Sequence, residues 1–356
     1  MRESGLRGSG SESSLRWSGS GLRVLITGAS GFAGRHLALR CARAGDEVIG
    51  LSRSGRVPAG AGEGRAIDLR DAAAVAAAVR EAEPEVVYHL AALSSVGRSW
   101  EDPATTVKDN VSTAVNVLEA LALGAPRARV VWVSSCEVYG VAARLPIEES
   151  APVAPANPYA VSKATGDLLA GVYADARGLD LVRARPFNHA GPGQLPIFIV
   201  SSLAQQAAKA RIKDARKIRI VTGNPDARRD FTDVRDIARA YRLLAQGPEP
   251  AGAQGPEPAG ARGAEPAIYN VCSGRSVSAA EQVRLLGELI APIAVEHVVD
   301  PERVRAREVM ELRGAHDRLS AATGWEPEIP LRQTMADAID WWEAELAGRP
   351  DDSKAT

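Results

Sequence analysis

The 356-residue sequence predicts an α/β fold, a doubly wound parallel sheet that carries a smaller C-terminal α/β lobe. Three observations point there. Short apolar runs alternate with longer stretches of helical period through the first half of the chain, the pattern of repeated βα units. A turn with three glycines, Gly28-Ala-Ser30-Gly31-Phe32-Ala33-Gly34, joins the first apolar run to the first helical pattern. The apolar runs also end in small or polar residues, Ala91-Ala92 and Ser134-Ser135, at the carboxyl edge where such sheets bind ligands.

Residues Met1 to Gly21 are Ser- and Gly-rich, with only Leu6, Leu15 and Trp17 as large apolar residues. Such a segment buries too little to order itself, so 1–21 is expected to be a disordered tail. Val24–Ile26 is the first strand and the helix after the turn runs through Leu37, Leu39 and Cys41. In a dinucleotide site the first glycine makes the tight turn, the second admits the pyrophosphate, and the third packs helix on strand. Gly28, Gly31 and Gly34 take those places, with Ser30, Phe32 and Ala33 between them.

Glu47–Leu51 is the second strand and ends in Ser52-Arg53 with no acid. An acid there would bond the ribose 2′-hydroxyl of NAD, whereas an arginine pairs with a 2′-phosphate. NADP(H) is therefore favoured, with NAD(H) the alternative. Ala66-Ile67 leads into Asp68-Leu69 and an alanine-rich helix from Asp71 to Ala82. Val86–Ala92 is the next strand; its small end at Leu90-Ala91-Ala92 leaves room for a cofactor, and His89 is expected to be a core histidine. A long helix over Pro103–Leu123 has apolar positions Val107, Val111, Val115, Leu118 and Leu121, and a fifth strand follows at Arg129–Val133.

The chemistry gathers after that strand. Ser135 and Glu137 lie at its carboxyl end, and Tyr159-Ala-Val-Ser-Lys163 opens the next helix. Residues four apart share a helix face. An ammonium beside a phenol favours phenolate, so the Tyr159 pKa is expected to fall towards neutrality. A phenol so tuned exchanges a proton with a carbonyl or alcohol oxygen, and Ser135 supplies a second hydrogen bond to that oxygen.

Lys and Arg total 43 against 44 Asp and Glu, a formal charge of −1, so nothing in the balance calls for nucleic acid or an anionic membrane. Three scattered cysteines, Cys41, Cys136 and Cys272, follow no metal spacing and are expected as buried free thiols. With no span-length apolar run and no signal peptide, the expected location is cytoplasmic.

With the glycine turn, Ser135, Tyr159 and Lys163 in this order, the chain resembles the extended short-chain dehydrogenase/reductases over about Leu22 to Leu346. That resemblance implies a Rossmann-type fold. It also implies that Asp68 and Leu69 lie against the adenine, and that Lys163 holds the nicotinamide ribose as well as Tyr159. Further segments look like the GDP-4-keto-6-deoxy-D-mannose reductases: Leu93-Ser94-Ser95-Val96, Pro186-Phe187-Asn188-His189, Arg228-Arg229-Asp230-Phe231-Thr232-Asp233 and Tyr269-Asn270-Val-Cys272-Ser273-Gly274.

By that likeness Ser94, Ser95, Asn188 and Arg229 contact a GDP-linked keto-deoxy sugar. Arg305 and Glu308 do so too, although both prolines of the group's Arg-Pro-x-Glu-Val-Pro pattern are missing and Arg303 or Arg307 compete for the place. The implied reaction is reduction of the sugar 4-ketone. GDP-mannose 4,6-dehydratase, with Glu137 as base, and a nucleotide-sugar 4-epimerase are the rivals; Gly191-Pro192-Gly193-Gln194 tips the balance to the reductase, because dehydratases carry a basic loop there.

The expected organisation is a cofactor domain over 22–187, completed by 225–245 and 268–275, and a sugar-nucleotide lobe over 188–224 and 276–348. Residues 246–267, nearly a repeat of Gln-Gly-Pro-Glu-Pro-Ala-Gly-Ala, form a flexible Pro/Gly-rich insert. The resemblance also implies a homodimer through the long helices starting near Pro103 and Tyr159.

Overall fold

The computed structural model describes residues 21–247, 267–304 and 309–348. The tail, almost all of the 246–267 insert, and the proposed ligands Arg305 and Glu308 lie outside the described residues.

The first part of the chain alternates strands β1 (Arg23–Thr27), β2 (Glu47–Ser52), β3 (Glu63–Ala66), β4 (Val86–His89), β5 (Arg129–Val133) and β6 (Leu181–Pro186) with helices. These helices are α1 (Phe32–Arg43), α2 (Ala72–Ala82), α3 (Val96–Glu101), α4 (Pro103–Gly124) and α5 (Pro158–Arg177). After them come β7 (Asn188–Ala190), α6 (Ile199–Ile212), β8 (Lys217–Thr222), β9 (Arg228–Asp233), α7 (Val234–Gln246) and β10 (Ile268–Val271). The chain continues through β11 (Ser276–Ser278), α8 (Ala279–Leu289), β12 (Ala294–Val299), β13 (Glu311–Leu312), α9 (Asp317–Thr323) and α10 (Leu331–Ala347).

Seven strands form one parallel sheet in the order β10-β6-β5-β4-β1-β2-β3. The order reverses between β1 and β4, which opens a crevice at the carboxyl ends of those strands. The sheet is covered on both faces, so its central strands β1, β4 and β5 are nearly continuous apolar runs. One core joins Val24 and Ile26 to Leu37 of α1 and to Ile237, Tyr241 and Leu244 of α7. The other joins Leu25 and Val87 to Val79 of α2 and to Val117, Leu118 and Leu121 of α4.

The helix starts follow local chemistry. Asp71 accepts from the Ala73 and Ala74 amides at the head of α2, and Asn157 accepts from the Ala160 amide at the head of α5, where Pro158 needs no donor. The fourth strand stops at His89, three residues short of the expected Ala92, because the chain turns there into the crevice. In α4 the buried face is Thr106, Asn110, Thr113, Val117, Leu118 and Leu121. Val107, Val111 and Val115 are only half-buried, so the apolar stripe read from sequence straddles the edge of the packed face.

The smaller lobe holds a third core, with Val200 and Leu203 of α6, Val283 and Leu286 of α8, and Met335 and Trp342 of α10. Buried carboxylates tie it to the large sheet. Asp230 of β9, fully buried, accepts from the amides of Ser273, Gly274 and Gly314 and from the Ser273 hydroxyl. Asp236 accepts from the amides of Glu328 and Ile329. No described helix is long and apolar enough to cross a membrane. Cys41, Cys136 and Cys272 are buried free thiols.

Candidate active site

The crevice opens into a cavity of about 810 Å³ that runs from the glycine turn to the smaller lobe. Its floor at one end is the turn itself. Gly28 has φ +76°, and a Cβ there would meet the Ala91 amide nitrogen at 2.9 Å. A Cβ on Gly34 would fall 2.2 Å from the Gly28 carbonyl oxygen, so only glycine lets α1 come this close to the strand end. The helix starts at Gly31 without a side-chain cap and with no acid in its first turn. Its first amides therefore point at the cavity unpaired, as a phosphate group requires. These features fit a dinucleotide.

Along the same wall lie Ser30, Phe32 and Ala33, then Ser52 and Arg53 at the end of β2, Asp68 and Leu69 after β3, and Leu90, Ala91 and Ala92 after β4. Arg53 is exposed. Arg70 grips the Asp68 carboxylate at 2.6 Å, and that bond holds the carboxyl well below the usual range, at about 2. Thr27 accepts from the Ala91 amide and fixes the chain where it leaves β4.

Asn110, buried in α4, does the same two residues further along. Its amide exchanges hydrogen bonds with both backbone groups of Leu93 and donates to Ser162 of α5 at 2.8 Å. This residue was not visible as functional in the sequence; its only signal is a polar side chain on the buried face of a long helix. Ser94 and Ser95 line the cavity just beyond, and Ser95 also caps α3.

At the centre Ser135, Glu137, Tyr159 and Lys163 meet. The Ser135 hydroxyl accepts from the Glu137 amide at 3.2 Å, and Asn157 donates to the Glu137 carboxylate at 2.9 Å. Lys163 donates to the Val133 carbonyl at 2.5 Å. Burial pushes the lysine down to about 8, against the pull of Asp167 one turn on.

Tyr159 departs from expectation. Burial raises its pKa above the ordinary phenol value, and the hydrogen bond with Ser135 only partly opposes this. Sequence spacing put an ammonium nearby but carried no information on burial, which is the larger influence here. His89 is buried, stacked 4.1 Å from Trp132 and held by burial at about 3, a neutral core side chain.

Behind the centre, Asp167 is 1% exposed and accepts from Arg183 and Arg185 at 3.1 and 2.9 Å. Arg185 lies over the Tyr139 ring, whose hydroxyl donates to Asn270. Towards the smaller lobe the cavity is lined by Asn188 and Arg229. The Arg229 guanidinium donates to the carbonyls of Arg228 and Val309, which aims it along the lobe boundary. Arg35 and His36 of α1 donate to the carbonyls of Gly193 and Pro192, so the 191–194 loop is pinned to the helix that starts at the glycine turn. Thr222, Tyr241 and Gln282 also line the cavity, and none of them stood out in the sequence. Every site residue expected from sequence within the described residues reaches this one cavity.

A parallel sheet reversed at a glycine turn, with serine, tyrosine and lysine at its carboxyl edge, defines an NAD(P)-dependent enzyme of the extended short-chain dehydrogenase/reductase type. The family model for GDP-mannose 4,6 dehydratase matches residues 25–338, and the chain belongs to that family.

Among curated relatives, a GDP-6-deoxy-D-mannose reductase of Pseudomonas aeruginosa is 36% identical, over 91% of this chain and 98% of its own. A UDP-glucose 4-epimerase of Mycolicibacterium smegmatis is 29% identical over 90% and 98%. The solved structure of RMD from Pseudomonas aeruginosa complexed with NADPH superposes with a TM-score of 0.76 at 34% identity, covering 91% of this chain and 99% of that one. A putative epimerase of Burkholderia cenocepacia gives 0.77 at 34%, with the same coverage. Nucleotide-sugar reductases, dehydratases and epimerases thus surround this chain.

Proposed function

We propose that the protein reduces the 4-keto group of a GDP-linked 4-keto-6-deoxy sugar with NADPH, yielding a GDP-6-deoxyhexose such as GDP-rhamnose. The observation that carries this is the single cavity joining the glycine turn and Arg53 at one end to Asn188 and Arg229 at the other, with Ser135, Tyr159 and Lys163 between. The likeness to GDP-6-deoxy-D-mannose reductase supports the choice of reaction.

Bound at the glycine turn, the cofactor supplies a hydride to sugar C4. Arg53, exposed at the end of β2, holds the 2′-phosphate with its planar fork. Tyr159 gives its proton to the 4-oxygen as charge develops there, and Ser135 donates a second hydrogen bond to the same oxygen. Lys163, anchored on Val133, offers positive charge beside the phenol and replaces the proton's charge as it leaves. Asn188 and Arg229 hold the diphosphate that carries the sugar. Arg305 and Glu308 complete the sugar-nucleotide contacts in this reading.

A second reading has its own observation. Glu137 lines the cavity with its carboxylate oriented by Asn157, as a dehydratase needs for abstraction of the sugar C5 proton. NADPH absorbance with GDP-4-keto-6-deoxy-D-mannose separates the two, with Tyr159→Phe as control. Oxidation by the native protein alone supports the reductase; no oxidation, with a 4-keto sugar formed from GDP-mannose, replaces it by the dehydratase.

The protein works in this reading as a cytoplasmic homodimer through α4 and α5. Val161, Leu168 and Val172 of α5 support this, since all three are exposed apolar residues on one long helix. Sedimentation of the purified chain at twice the monomer mass is the expected result.

A further inference from the structure

Tyr241 stands out among the cavity residues. It sits on α7, is 1% exposed, and packs in the core that holds Val133 and Ala184 at the upper ends of β5 and β6. Its ring borders the cavity, yet its buried hydroxyl has no hydrogen-bond partner. A phenol is put inside a protein with its oxygen paired as a rule, because a buried donor without a partner forfeits the hydration it had in the unfolded chain. Phenylalanine would fill the same space without that cost. The unpaired oxygen is therefore a defect of the fold taken alone, and its position at a ligand cavity says which partner it waits for.

The place along the cavity follows from its neighbours. Val133, in the same core, is the residue whose carbonyl receives Lys163. Tyr159 is the titratable neighbour felt by the Tyr241 hydroxyl, whose pKa is raised chiefly by burial and then by that phenol. Helix α7 packs against β5, β6 and β7, so the hydroxyl lies under the reacting end of the cavity and not beside Arg53 and Leu69, where the adenosine half would rest. A dinucleotide brings two neutral sets of acceptors to this end, the ribose hydroxyls and the carboxamide oxygen; in this reading Lys163 takes the ribose, which leaves the carboxamide oxygen.

We infer that the Tyr241 hydroxyl is a hydrogen-bond donor kept for the nicotinamide carboxamide. The inference rests on the dinucleotide reading of the cavity but not on the identity of the sugar. Tyr241→Phe removes one oxygen and keeps the ring that packs the core.

The test is binding of NADPH and of 2′-phospho-ADP-ribose, which lacks the nicotinamide, to native and Tyr241→Phe protein by calorimetry, with thermal melts of both unliganded proteins. The expected result has three parts. The NADPH dissociation constant rises roughly 3- to 10-fold, the worth of one neutral hydrogen bond. That for 2′-phospho-ADP-ribose stays unchanged. The melting temperature of the unliganded variant is equal or higher, because an unpaired donor has been removed.

Equal weakening of both ligands, or none of either, overturns the inference. So does a lowered melting temperature, which would mean that the hydroxyl has a partner inside the fold. An unchanged NADPH constant with a raised KM for the sugar nucleotide overturns it as well. Failure of the native protein to bind NADPH and NADH at all would instead remove the dinucleotide reading itself.

Discussion

The two ends of the cavity are built on opposite plans. At the sheet end the cavity is walled by backbone: glycines without Cβ, free helix amides, and small residues where β4 runs out. At the lobe end the lining is side chain, Asn188 and Arg229, the arginine aimed by its bond to the remote Val309 carbonyl. A backbone site is written in a few consecutive residues and tolerates little change. A side-chain site is assembled from several elements and is where one fold acquires different substrates.

The contrast breaks first at the junction. Tyr159→Phe is expected to lower turnover by about 10²- to 10⁴-fold, the usual worth of a positioned acid. The affinities for NADPH and sugar nucleotide should stay within about twofold; loss of either affinity would show that the phenol serves an end and not the centre.

Removing the support behind the centre is next. Asp167→Asn leaves Arg183 and Arg185 buried without their carboxylate and should cost about 3–5 kcal/mol in chemical denaturation. Arg229→Met should raise KM for the sugar nucleotide about tenfold or more and leave NADPH affinity alone. Arg53→Ser is the mirror image, with NADPH weakened about tenfold relative to NADH and no change at the other end.

The smallest effect is in pH. Lys163 must be protonated to support the phenol, and burial places it at about 8. The ammonium is lost as pH rises through that value, so kcat/KM is expected to fall on an alkaline limb near 8. Asp167→Asn, which removes the carboxylate that raises the lysine, should move that limb to lower pH in whatever fraction remains folded. A limb that stays put would detach Lys163 from the rate.

The sheet end was legible because its signals are local. Gly28, Gly31 and Gly34 sit within one turn, and Tyr159 and Lys163 within another. The central sheet followed from apolar runs that strands buried on both faces must have. The lobe end was not legible in the same way. Strand β9 is Arg-Arg-Asp-Phe-Thr-Asp, with no apolar run to mark it, because its buried Asp230 is satisfied by amides some 40 and 80 residues onward.

Nor does spacing report burial, so the sequence put the Tyr159 pKa on the wrong side of its ordinary value. Asn110 and Tyr241 were hidden for a related reason. Each looks like an ordinary member of its helix until the groups facing it are known.

One feature of the sheet bears on how the chain matures. β6 borders β10, which comes from beyond α7 and the 246–267 stretch. During synthesis the backbone groups of Arg183–Pro186 on that side stay open until Val271 has left the ribosome. An unpaired edge in a parallel sheet is a template for foreign strands. The growing chain therefore carries its own aggregation hazard through the synthesis of α6 and α7, and the last strand of that sheet to arrive closes it.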